Sequence, residues 1–283
     1  NLGNGDGTVT VEPEKDEYAF GEVVTLTATP DEGSVFTGWA GDLSGATNPV
    51  NVTMDDDKTI AATFIVPAGP FSDNFNTCQL APHWSEIDPL GDGTFALNGR
   101  QLLITAPEGD NHNVWSDGIN APRVMQDADN VNFEYVVKFD SLVTANAQMQ
   151  GIIIEQDAQN FARFDFEYNY TGSSTDLVKA YAATITAGAA KKRISVDIPV
   201  ASAVYLRVAR AGTTWRMSYS ANGIDWIDAD PPIKNYTLNV TSVGPFAGNV
   251  GIQNSPAPAH TAIVDFFHNT ADGPLPADAP LLN

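Results

Sequence analysis

The stretch QMQGIIIEQDAQNFARFDFEY, Gln148–Tyr168, decides the fold. Successive side chains of an extended strand point to opposite faces. Gln148, Gln150, Ile152 and Ile154 therefore share one face, and Met149, Gly151, Ile153 and Glu155 share the other. After the polar connection 156–160 the alternation resumes. Arg163, Asp165 and Glu167 fall on one side, and Phe164, Phe166 and Tyr168 on the other. A period of two on both sides of a short polar turn predicts an antiparallel hairpin. Its aromatic face belongs in a core, and its Arg-x-Asp-x-Glu face is expected to be the wet side of a sheet.

The pattern continues outward. Strands are predicted near 95–98, 101–105, 123–126, 131–139, 177–186, 192–196, 203–210, 213–219, 224–228, 237–243 and 260–268, with Gly, Pro, Asn and Asp between them. No window of a dozen residues sustains a helical stripe, so the fold class is all-β. So many strands without crossover helices form a large antiparallel β-sandwich. Upstream, strands near 8–12, 22–29, 34–39, 49–53 and 58–65 make a small β domain anchored by Trp39. VPAGP at Val66–Pro70 is a stiff linker, because proline fixes φ and lacks a donor. The expected organisation is a small domain over 1–66, a linker over 67–70, a sandwich over 71–272 and an extended arm over 273–283.

The chain has 283 residues, with 35 Asp and Glu against 14 Lys and Arg, a formal charge of −21. Such a surface repels nucleic acid and anionic membranes, whose phosphates require clustered cations. No apolar run approaches the roughly 18 residues of a membrane span. The single cysteine, Cys78, excludes an internal disulfide and is expected to be a small buried hydrophobe. His83, His112, His260 and His268 show no metal-ligand spacing. Asp55-Asp56-Asp57 and Asp228-Ala229-Asp230 look like calcium ligands, since hard cations take oxygen donors. Acid runs in turns of an acidic chain are also ordinary solvated faces, so calcium stays open as a cofactor. Trp215 and Trp226 flank a hairpin turning at Asn222-Gly223 and are expected to pack across it.

Two resemblances follow. The segment GTVTVEP, YAFGEVVTLTATPDEGSVFTGWAGDLSG and NPVNVTMDDDKTIAATF, from Gly7 to Phe64, resembles the divergent internalin-type B-repeat of bacterial surface proteins. In that family the opening strand starts earlier than Asn1, which implies a piece of a longer chain with an open sheet edge. The order SDNFN, Trp84, PLGDGTFAL, NHNVW, APRVMQ, FEYVVKFDS, the opening stretch, YLRVARAGTTWRMSYSANGIDW, SVGPFAGN and VDFFHNTAD covers residues 71–272. It resembles a bacterial concanavalin-A-like domain of the lectin/glucanase jelly-roll superfamily. That resemblance implies a large jelly roll, carbohydrate association as a tendency, and an extracellular or cell-surface location. In such jelly rolls glycans lie on the concave sheet face, which implies a site around Gln148, Gln150, Arg163, Asp165 and Glu167. His112, Trp115, Arg123 and Gln126 match the family's His-x-x-Trp and Pro-Arg-x-x-Gln pattern and are expected to complete one pocket. Tyr168, Tyr170 and Tyr181, around the loop 171–174, are further candidates for stacking on sugar rings.

Three functions are weighed. The first is a non-catalytic carbohydrate-binding or adhesion module whose partner is a polysaccharide or glycan. In it, Arg163→Ala abolishes binding without unfolding. The second is a subunit of an extracellular filament or surface layer, joined to copies of itself or to other surface domains through its termini. Its apolar arm from Pro274 to Leu282 would dock on a neighbour. The third, well behind, is a glycoside hydrolase. Retaining glucanases on this fold carry Glu-x-Asp-x-x-Glu, with paired carboxyls acting as nucleophile and acid/base. Glu155 and Asp157 match its first two positions, but Asn160 replaces the last acid. Glu86-Ile87-Asp88 is broken by Pro89.

Overall fold

The computed structural model describes residues 3–31, 34–66, 70–168, 177–198 and 204–273. The chain divides into two compact units, Asn1–Ala68 and Gly69–Asn283. Both are built from strands. Among the described residues no helix is long and apolar enough to cross a membrane.

The first unit contains β1 (Gly3–Asn4), β2 (Gly7–Glu12), β3 (Glu22–Pro30), β4 (Val35–Gly41), β5 (Val50–Met54) and β6 (Ile60–Val66). They form two small sheets, ordered β1-β6-β4 and β2-β3-β5. Val24, Leu26 and Ala28 alternate inward along β3 and pack with Val52 and Trp39. Trp39 is the expected anchor. Its indole Nε1 donates to the Thr47 carbonyl at 2.9 Å, and Phe36 packs edge-on at 5.1 Å. The Asn48 side chain closes the unit, accepting from Ala28 N at 2.9 Å and donating to Ala28 O at 2.7 Å.

The second unit begins with β7 (Ser85–Ile87), β8 (Thr94–Leu97), β9 (Leu102–Ala106), β10 (Val114–Trp115), β11 (Gly118–Ile119) and β12 (Arg123–Asp127). It continues through β13 (Phe133–Phe139), β14 (Met149–Asp157), β15 (Asn160–Tyr168), β16 (Val178–Thr186) and β17 (Ala189–Ile198). The last strands are β18 (Tyr205–Ala211), β19 (Thr214–Ser220), β20 (Ile227–Asp228), β21 (Ser242–Gly248) and β22 (His260–Asn269). Two seven-stranded sheets result, β17-β16-β15-β14-β21-β12-β7 and β20-β19-β18-β13-β22-β9-β8. Their facing sides enclose one apolar core, a jelly-roll β-sandwich. Ile152, Ile154, Phe164 and Phe166 project into it from the first sheet. From the second sheet Trp215 stacks on Phe164, with ring centroids 6.1 Å apart. The beginning and end of the unit are clasped. Asp73 and Phe267 exchange backbone hydrogen bonds at 2.8 Å, and Ser72 Oγ donates to Asp272 Oδ2 at 2.8 Å.

Four expectations give way here. The strand placed at 237–243 lies at Ser242–Gly248 instead. Gly244, Pro245 and Gly248 disguised it as a turn, yet glycine is what this central strand needs. A Cβ on Gly244 would lie 1.9 Å from the Val124 carbonyl oxygen. The short strands β7, β10 and β11 were not foreseen. Trp215 and Trp226 do not pack across their hairpin. Trp215 is in the core, while Trp226 lies beside Tyr205 and under the Arg207 guanidinium at 4.3 Å. Cys78 is exposed, because it sits in an irregular stretch of bends that no strand covers. Tyr170, the loop 171–174 and the arm beyond residue 273 lie outside the described residues.

Candidate functional site

The register of β14, β15, β16 and β17 builds the site. Opposite residues of an antiparallel pair share a face. Asp165 sits opposite Gly151 and Tyr181, and Glu167 opposite Met149 and Lys179. Tyr181 is in turn opposite Ser195, and Ala183 opposite Lys192. Arg163, Asp165 and Glu167 thus share the outer face of the sheet, as their spacing predicts. That face is not wet. The three residues are only 2%, 0% and 4% exposed. The hairpin β10–β11 and its flanks pack over the sheet, and Val114, Ile119 and Ala121 join Met125, Met149, Ile153, Phe161 and Phe246 in a second apolar cluster.

Beneath that cover Arg163 is almost fully engaged. Its Nε and one terminal nitrogen donate to the two Asp165 oxygens, both at 2.7 Å. The same terminal nitrogen donates to Glu167 Oε2 at 2.7 Å, and the other donates to the Val114 carbonyl at 3.0 Å. Four of the five guanidinium N–H groups therefore have partners. Burial disfavours the Arg163 charge, but the two carboxylates hold it protonated. Burial likewise pushes Asp165 up, opposed by the bidentate guanidinium. Glu167 is pushed up to about 7 by burial, against the pull of Arg163 and with Asp165 adding to the rise. One cation cannot balance two buried carboxylates, and Glu167, held by a single bond, is the one that yields.

Beside this cluster opens a cavity of about 370 Å³ lined by Asn113, Trp115, Arg163, Glu167, Lys179, Tyr181, Lys192 and Ser195. Half-buried Trp115 packs against the Tyr181 ring, with centroids 6.5 Å apart and planes inclined at 45°, and the two form one aromatic wall of the cavity. The Arg163 guanidinium lies 4.8 Å from the Tyr181 centroid. Lys179 is paired with Asp197, whereas Lys192 is exposed and makes no ion pair among the described residues. Apolar ring faces beside convergent donors and one carboxyl suit a ligand that is both planar-faced and polar.

The remaining candidates lie elsewhere. Gln150 points away from Arg163, into the sandwich. Its amide accepts from Ser141 Oγ at 2.6 Å, donates to the Ser141 carbonyl at 2.9 Å and lies 3.1 Å from His260 Nε2. Gln148 accepts from the Thr144 and Ala145 amides and donates to the Ala259 carbonyl at 2.6 Å. Both tie loops to the sheet and do not join Arg163, because the β14–β15 register sets Gln150 opposite Phe166 and Arg163 opposite Ile153. His112 is fully buried between Asn249 and Asp92, each 2.9 Å from a ring nitrogen. Arg123 pairs with Glu155 at 3.1 Å and reaches the Ile119 and Ala121 carbonyls. Gln126 holds the backbone of Phe71 through both of its amide atoms. Of the expected residues Trp115, Arg163, Glu167 and Tyr181 meet at the cavity, with Asp165 beneath them.

Lys179, Lys192, Ser195 and Asn113 were not foreseen. The Ser116-Asp117 turn, with Gly118 just after it, signals the covering hairpin, and the alternation Lys179-x-Tyr181 signals the cavity face. The glucanase-like carboxylates serve structure. Glu155 is paired with Arg123, while Asp157 caps its own turn by accepting from Gln159 N and Asn160 Nδ2. Among the described residues no three His, Cys, Asp or Glu side chains converge to hold a metal ion, and Asp55 is occupied by Lys58.

Comparison with known proteins agrees with this architecture. Residues 2–66 match the model of the divergent InlB B-repeat domain. Residues 72–268 match the β-xylosidase C-terminal concanavalin A-like domain. No curated protein matches the chain. Among solved structures, a GH43 protein of Bacillus licheniformis is 15% identical with a TM-score of 0.53, over 95% of this chain and 64% of that one. A xylan β-1,4-xylosidase of Bacillus halodurans is 14% identical with a TM-score of 0.52, over 88% and 60%. A GH43B protein of a Bacteroides ovatus xyloglucan locus is 13% identical with a TM-score of 0.52, over 87% and 46%. The chain thus spans under two thirds of these relatives, and at such identities the likeness concerns the fold. The family match covers more than half of the chain, and through residues 72–268 the protein belongs to the family of β-xylosidase C-terminal concanavalin A-like domains.

Proposed function

We propose that the sandwich unit is a non-catalytic carbohydrate-binding module of a larger extracellular or cell-surface protein. The cavity lined by Trp115 and Tyr181 carries this reading. It is large enough for a sugar ring, has aromatic walls for the ring's apolar face, and offers Asn113, Ser195, Lys179 and Lys192 to its hydroxyls. Membership in a xylosidase C-terminal domain family supports it, as do neighbours named for xylan and xyloglucan. A non-catalytic role is supported by the carboxylates, which are engaged by arginines or by turn amides rather than set as a free pair. Assembly through the termini rests on the arm 274–283, which lies outside the described residues.

The test is titration calorimetry with xylan- and xyloglucan-derived oligosaccharides. Affinity in the micromolar to millimolar range is expected, as suits few-contact recognition. Trp115→Ala and Asn113→Ala should weaken it in protein that still melts cooperatively; Asn113→Ala should shift the melting temperature little, and Trp115→Ala should lower it because the indole also packs on the second apolar cluster. Undiminished binding by both variants would sink the site.

A further inference from the structure

We propose, resting on that carbohydrate reading, that the cavity selects an acidic sugar. The carboxylate of a uronic acid would lie against Lys192 and Lys179 while the ring lies against the aromatic wall that Trp115 and Tyr181 form together. The charge distribution carries this. The chain as a whole repels anions, with a formal charge of −21. Five of its 14 cations, Arg163, Lys179, Lys191, Lys192 and Arg193, nevertheless lie on the neighbouring strands β15, β16 and β17. Three of these line the cavity.

Three acids lie near the three cavity cations, and Asp165 and Glu167 share Arg163; Glu167, the carboxyl in excess there, is the one that takes up a proton, which leaves Lys192 as the unbalanced charge. Asp165 and Glu167 are bound to Arg163, each at 2.7 Å, and Asp197 is bound to Lys179. Lys192 has no counter-charge among the described residues, and one Arg163 N–H is left over after its partners are counted. A neutral sugar would leave that ammonium with water alone. A carboxylated sugar would give it a charge-assisted hydrogen bond at a partly enclosed site, where such bonds are stronger than in bulk water. Elsewhere on so acidic a surface the same ligand would be repelled, so the contrast concentrates recognition at this opening.

Matched ligands differing only in charge test the idea. Xylo-oligosaccharides with and without a glucuronic acid branch, and oligogalacturonate against its methyl ester, are titrated into the full chain at low and high salt. The acidic member of a pair should bind about tenfold more tightly, with the advantage shrinking in salt. Lys192→Gln should erase the difference, while Lys234→Gln, the same charge change at an exposed position away from the cavity, should preserve it. Equal affinity for both members overturns the acidic preference and leaves carbohydrate binding standing. A preference that survives both Lys192→Gln and Lys179→Gln overturns the assignment to this cavity. Binding of no ligand in either set overturns the acidic reading together with the carbohydrate reading beneath it.

Discussion

Arg163 and Asp165, two residues apart on one strand, form a bidentate ion pair at 2.7 Å with both side chains buried. The pair reverses the expectation attached to Arg163→Ala. The arginine is a structural post under the cavity as well as part of its floor, and removing it strands two carboxylates in the interior. The variant should lose about 3–5 kcal/mol of stability, the usual cost of breaking a buried pair. Urea denaturation measures this directly. Loss of ligand binding in Arg163→Ala therefore reports unfolding first, and adding Asp165→Leu should recover part of the deficit.

Gly151 and Gly244 have no room for a side chain. A Cβ at Gly151 would lie 2.1 Å from the Phe164 carbonyl oxygen and 2.5 Å from Asp165 Cβ, and one at Gly244 would strike the Val124 carbonyl. Gly244→Ala should destabilise by about 3 kcal/mol or more, since backbone rather than a movable side-chain end must shift. Gly223→Ala would meet only the edge of the Tyr205 ring, although its φ of 73° adds strain of its own. A midpoint for Gly244→Ala within error of the parent would refute the packing.

His260 and Glu167 should pull stability in opposite directions with pH. Burial pushes His260 from its ordinary 6.5 down to about 4, so between those values the unfolded chain takes up more protons. Its contribution is full above pH 6.5 and is lost as pH falls. Glu167 is raised from 4.5 to about 7, so the folded chain holds the extra proton, and stability is lost as pH rises through that window. In melting curves between pH 4 and 7, His260→Gln should leave a profile that declines with pH. Glu167→Gln should leave one that climbs. Parallel profiles for the two variants would contradict these assignments.

In the small domain, Asn48→Ala removes both hydrogen bonds to the Ala28 backbone. A loss of about 1–3 kcal/mol is expected for that unit, the cost of leaving partly buried groups unsatisfied. Amide exchange should show faster opening at Ala28 first.

The strands were legible in the sequence because their alternation is a local property. Arg-x-Asp-x-Glu opposite Phe-x-Phe-x-Tyr fixed the two sides of β15 without any knowledge of its neighbours. Whether the polar side was wet could not be read there. That depended on a hairpin some 45 residues upstream folding over it, and a two-residue strand such as Val114–Trp115 carries almost no period. Gln150 illustrates the converse. Its amide has the chemistry of a reader of hydroxyls, yet it serves Ser141, nine residues back, and His260, 110 residues on. Lys192 escaped notice because it sits in a run of three cations, Lys191-Lys192-Arg193, where only the register across a β-bulge shows which one reaches the cavity.

The clasp between residues 70–73 and 267–272 has a mechanical consequence. Tension applied along the polypeptide would enter and leave the sandwich at neighbouring points. It would load a handful of hydrogen bonds, such as Asn269 Nδ2 to the Pro70 carbonyl at 2.9 Å, instead of shearing whole sheets. The sandwich would hang from the line of force like a bead on a short loop. The first yielding event under load would be an unzipping of that clasp, far along both sheets' connectivity from the strands that frame the cavity.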